Sequence, residues 1–177
     1  MRTLFVVVLV LFSIVNSTIA RDLTASERKT LHVQIARFET ALKNSDYKTV
    51  SETVPPKVLE SIAGHAGISV SQLRGALTTQ MQMTLAAVKL LSFDMDEGKI
   101  QTKEASGGMP YALIPTVTVM DAGQGKIEAR SHTLALMDGG EWYLLRINEE
   151  KQLAILREVY PSFATVEFPA GTMDAVE

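Results

Sequence analysis

The sequence predicts an α+β domain in which N-terminal helices pack on a strongly curved antiparallel β-meander. Three observations carry this. Apolar residues recur at helical spacing as far as Val88, then at every second position from Lys89 onward. The alternating segments are joined by turns rich in Asp and Gly, the last being Asp138, Gly139, Gly140 and Glu141 ahead of Trp142. Two alternating runs, Tyr111 to Asp121 and Lys126 to Asp138, exceed the usual strand length. At about 3.3 Å per residue the longer one would reach past ~40 Å, which a small domain accommodates only by bending its sheet.

The chain opens with Arg2 and an apolar run from Leu4 to Val15, followed by Asn16, Ser17 and Thr18 before Ile19 and Ala20. This reads as a secretory signal peptide cut after Ala20, with an uncleaved N-terminal anchor as the alternative. Thr24 and Glu27 then form a capping box ahead of Leu31, Ile35, Phe38 and Leu42, one face of a helix ending near Asn44. Asp46 and Tyr47 begin a short second helix or turn. Pro55 and Pro56 seed a third helix through Val58, Leu59 and Ile62, expected to stop at Gly64. Ser69 and Gln72 cap a fourth, whose face is Leu73, Leu77, Met81, Leu85 and Val88.

From Lys89 the period is two: Leu91, Phe93 and Met95 alternate with Ser92, Asp94 and Asp96, and Glu97 with Gly98 is expected to make a hairpin turn. A return strand from Ile100 to Glu104 and the loop Ser106, Gly107, Gly108 lead into the two long strands, and a further strand runs from Trp142 to Ile147. Pro115 marks an edge position or a bulge. Asn148 reads as the N-cap of a helix over Glu149 to Tyr160, with Leu153, Leu156 and Tyr160 on one face. Pro161 ends it. The organisation is thus a signal over 1–20, one domain over 21–163 and an extended tail over 164–177.

Absence of cysteine excludes disulfides, lipoprotein anchoring and thiolate chemistry. The formal charge of −3, without a basic patch, argues against nucleic acid as a partner and, once the signal is cleaved, against an anionic membrane. The one glycosylation sequon, at Asn16, lies inside the signal, which points toward a bacterial periplasm.

Phe38, Ala41, Leu42, Asn44, Ser45 and Asp46 resemble the first helix and acidic turn of the NTF2-like superfamily, which includes ketosteroid-isomerase and SnoaL-like proteins. Asp138, Gly139, Gly140, Glu141 and Trp142 resemble its glycine turn before an aromatic strand. The resemblance covers nearly the whole mature chain. It implies a cone, of the NTF2-like or cystatin-like form, with a pocket inside. Its enzymes place an acidic base and acid donors in that pocket, whereas many relatives are ligand-binding or interaction modules. No position here matches an enzyme motif of the family, so no catalytic residue is assigned.

From the residues themselves, His132 is the leading chemical candidate, because it shares a strand face with Glu128, Arg130 and Leu134. A solvated ladder of alternating charges is the competing reading. Asp94 with Asp96, and Tyr111, Tyr143 or Trp142 as donors, are ingredients of an acid-base site. The candidates for catalysis are therefore His132, Asp94 and Tyr143, and those for ligand binding are Phe93, Met95, Arg130 and His132. Met81 and Met83 stand about 200° apart on a helix and do not share an ion, and His32 and His65 match no metal spacing. Neither a metal nor a cofactor is expected.

The favoured function is non-catalytic binding of a small apolar molecule or a periplasmic protein. The alternatives are a pocket enzyme doing proton transfer, of isomerase or dehydratase type, and a homodimeric interaction or inhibitor protein using the outer sheet face. Convergence of His132, Asp94 and a tyrosine in a cavity favours the enzyme; a cavity filled by Phe93, Met95 and leucines disfavours both pocket readings.

Overall fold

The computed structural model describes residues 21–123 and 125–176. The expected signal lies outside them. The helices are α1 (Ala25–Lys43), α2 (Tyr47–Glu52), α3 (Pro56–Ala66), α4 (Val70–Ala86) and α5 (Glu150–Val159). The strands are β1 (Lys89–Met95), β2 (Gln101–Ala105), β3 (Met109–Asp121), β4 (Lys126–Asp138), β5 (Glu141–Arg146) and β6 (Thr172–Val176). The helices pack against a strongly curved antiparallel sheet that forms a half-barrel.

Local chemistry starts the helices where expected. The Thr24 hydroxyl accepts from the Glu27 N–H at 3.2 Å while Glu27 accepts from the Thr24 N–H at 2.8 Å, and Ser69 with Gln72 repeats the exchange. Two boundaries move. Helix α3 passes through Gly64 and ends at Gly67, whose φ of 65° lets the Ile68 N–H reach the Ala63 carbonyl at 3.0 Å. Glu149, rather than Asn148, caps α5, because the Gln152 side chain accepts from both N–H groups, at 2.8 and 3.3 Å.

Strands β3 and β4 pair along their whole length, from Tyr111 opposite Leu136 to Asp121 opposite Lys126. Each is flanked by two short strands laid end to end: β1 and β2 on β3, β5 and β6 on β4. The expected hairpin at Glu97 and Gly98 is therefore a correction, since β1 and β2 do not pair with each other. Pro115 gives the reason. Its carbonyl accepts from the Asp96 N–H at 2.9 Å, so its missing N–H faces this same flank, and the edge breaks there into a 3-10 turn over Glu97–Lys99 without wasting a donor. Pro115 itself sits in an interior strand. A second irregularity pushes Leu91 out of the ladder, so Leu90 and Phe93 share one face and Leu91 is exposed. The stretch after Ala164 belongs to the sheet: Val166 is buried, and β6 pairs with residues Lys126 to Arg130.

Helix α1 defines the concave side by touching both flanks. Glu39 accepts from the Met95 N–H of β1 at 3.0 Å, and the indole N–H of Trp142 in β5 donates to the Glu27 carbonyl at 3.0 Å. Between these pins Leu31, Ile35, Ile114 and Leu144 form a buried cluster. Alternate residues build a second cluster on the convex face, where Tyr111, Leu134 and Leu136 meet Leu156, Tyr160 and Phe163. Asp138 ties the periphery by accepting from Lys57 at 2.8 Å and from the Tyr160 hydroxyl at 3.0 Å; burial and this carboxylate raise the Tyr160 pKa.

Two outcomes follow. Trp142→Phe keeps most of the apolar volume but removes the indole N–H from the half-buried Glu27 carbonyl, which still accepts from the Thr30 hydroxyl at 3.1 Å, so denaturant melts show a loss of about 1 kcal/mol; no loss would mean the indole N–H contributes nothing. The hydrogen bond from His32 to Glu97, at 2.5 Å, raises the His32 pKa above 6.5. Its stabilisation is complete below that pH and is lost as pH rises through the raised value. Proton NMR titration is expected to place His32 above 6.5 and to return it in Glu97→Gln; identical titration in both proteins would refute the pairing.

Candidate functional site

Helix α1 covers only part of the concave face. Beyond it lies an open cavity of about 430 Å³, within the range of small-molecule sites. Its floor is the far half of the sheet, with Thr116, Thr118 and Met120 of β3, Thr133 of β4 and Leu90 and Phe93 of β1. Phe38 of α1 meets Phe93 with ring centroids 5.7 Å apart and closes one side. Val58, Leu59 and Ile62 of α3 and Ile155 and Leu156 of α5 form the opposite wall.

The roof is α4. Leu77, Met81 and Leu85 recur every four residues and all line the cavity, yet each is only half-buried. Sequence spacing identifies this stripe correctly as an inward face. Instead of meeting a packed core, it faces empty space. Toward its N-terminal end the helix is anchored by Leu73, buried against Leu59 and Ala63, and by Arg74, whose guanidinium donates to the Ser51 carbonyl at 2.8 Å.

Polar groups are few. The Thr116 and Thr133 hydroxyls pair at 2.9 Å, and Thr116 also reaches the Ile114 carbonyl at 3.0 Å. The Thr53 hydroxyl donates to the Val50 carbonyl at 2.7 Å, and Gln152 is spent on the α5 cap. The Thr118 hydroxyl is buried with no partner among the described residues. Among the described residues Arg146, at the end of β5, is the one cationic side chain in the lining, and no acidic residue lines it. The apolar wall lowers the Arg146 pKa by desolvation.

The structure separates the residues singled out from the sequence. Phe93 lines the cavity. Met95 points to the same concave side but is buried in the α1 cluster. His132 and Arg130 alternate with Thr133 and Ser131 and so occupy the convex face, with Glu128 pairing Arg130 at 2.6 Å. There the Nδ1 of His132 is buried and unpaired among the described residues. Asp94 lies opposite Val117, also on the convex face, and is exposed. Asp96 is bound by Lys99 at 2.8 Å, which lowers its pKa. Tyr143 packs against the convex cluster. His132, Asp94 and Tyr143 therefore do not converge in the cavity. Arg146 was missed from the sequence, although its spacing from Trp142 and Leu144 places it on their face of β5.

Among the described residues no group of three or more His, Asp or Glu is placed to hold a metal, and no helix is long and apolar enough to cross a membrane. Comparison with family models, curated proteins and solved structures found no match.

The two threonine environments predict opposite responses. Thr118→Val removes a buried hydroxyl that has no partner and stabilises the fold by about 1 kcal/mol. Thr133→Val leaves Thr116 without one of its partners and destabilises by about 1 kcal/mol. Denaturant melts check the pair; equal effects would show that the floor hydroxyls are equivalent.

Proposed function

We propose that the protein is an exported, NTF2-like binding protein that holds one small apolar molecule in this cavity without transforming it. The observation that carries the reading is the inward stripe of α4: three large apolar side chains face a space that no side chain of the described residues fills. Such surface is stabilised by an apolar occupant, at roughly 25 cal/mol per Å² covered.

The composition of the lining supports binding over proton transfer. Among the described residues it contains no His, Asp, Glu, Lys or Tyr, so no acid-base pair of theirs faces the space. The apolar run from Leu4 to Val15, with a small-residue cleavage position at Ala20, supports export, and the lack of cysteine and of sequons after residue 20 suits the periplasm.

The test is fluorescence titration with the apolar dye N-phenyl-1-naphthylamine. The wild-type protein is expected to bind it saturably at one site. Leu85→Trp extends a bulky side chain from α4 into the cavity and weakens binding about tenfold, through overpacking of roughly 1–3 kcal/mol. A folded Leu85→Trp protein that binds the dye as well as wild type would overturn the assignment of the cavity.

A further inference from the structure

Arg146 is an unusual member of this lining. Strand alternation puts Trp142, Leu144 and Arg146 on one face of β5, and the register sets Arg146 opposite Thr133 of the cavity floor. The first two side chains are buried in the α1 cluster. The third reaches the cavity mouth, where no ion pair or hydrogen bond engages its guanidinium among the described residues. The carboxylate that follows it most closely in sequence, Glu149, stands at the N-cap of α5. Arg146 is exposed at this mouth, and a guanidinium beside an apolar space, without a counter-ion among the described residues, is the complement of a ligand with an apolar body and an anionic end. Its planar fork suits the two oxygens of a carboxylate.

We infer that the occupant is a single-tailed amphiphile with a carboxylate head, the head paired with Arg146 at the mouth and the tail lying under Leu77, Met81 and Leu85. The inference rests on the binding role proposed above and adds its chemical class. A free fatty acid matches the one cation and the volume of about 430 Å³ better than a two-tailed phospholipid. The competing account is that Arg146 only lays its methylenes along the apolar rim and turns its charge to solvent.

Isothermal titration calorimetry separates the two, using protein made from the full coding sequence and stripped of copurifying lipid. The probes are dodecanoate, dodecanol and dodecyltrimethylammonium, which share one tail and differ in head charge. The wild type is expected to bind dodecanoate about tenfold or more tightly than dodecanol, as a charge-assisted hydrogen bond allows, and dodecyltrimethylammonium most weakly. In Arg146→Gln the carboxylate preference falls to near parity, and in Arg146→Lys part of it returns. Parity among the three probes in the wild type, or a preference that survives in Arg146→Gln, overturns the assignment of the head while leaving an apolar cavity in place. Failure of all three probes to bind removes the cavity reading and this inference with it.

Discussion

The cavity depends on one backbone hydrogen bond. The N–H of Leu144, on the outer edge of β5, donates to the carbonyl of Thr53 at 2.8 Å, in the link between α2 and α3. Thr53 is 1 % exposed, so water cannot replace this partner, and an unpaired N–H there would cost about 1–3 kcal/mol. The bond satisfies a strand edge that the sheet leaves open and sets how far α3 stands from it. Both residues line the cavity. Together with the pins at Glu27 and Glu39 on α1, it holds the helical layer away from the far half of the floor. Without such pins, the apolar faces of α3 and α4 would gain by collapsing onto the sheet.

Curvature is the second requirement. The long β3–β4 pair would overrun the body if flat, and it bends because neither neighbour is continuous. Pro115 divides one flank and the change from β5 to β6 divides the other. The result is an inner face dry enough to pack α1 at one end and open at the other. Its floor carries threonines where the remaining walls carry leucine, isoleucine and valine. Paired hydroxyls let this floor stay polar at little cost, since Thr116 and Thr133 satisfy each other.

Much of this was legible in the sequence. The capping boxes at Thr24 and Ser69, the bounds of β4 and the glycine turn before Trp142 are local signals, and local chemistry decides them. Partners far apart in sequence were not legible. Nothing near Glu97 says that its flanking strands lie along β3, because the cause is Pro115, some eighteen residues on. Nothing near Met173 announces that the final strand joins Lys126 to Arg130. Strand alternation correctly grouped His132 with Glu128 and Arg130, yet alternation alone does not say which face is concave. That depended on where α1 lay, which also decided that Thr133, one residue away, would line the cavity. Arg146 was hidden similarly: a charged residue at a strand end reads as solvated until the walls around it are known.

The proposed binding of a small amphiphile rests on the stripe on α4, on a guanidinium at the mouth that has no partner among the described residues, and on a lining that holds no acid-base pair among them. Native mass spectrometry of the protein purified gently from its host tests this most directly. The account predicts a reproducible adduct of one small molecule per chain, shed under mild collisional activation. Bare chain masses alone, persisting after incubation with a lipid extract of the host, would contradict it.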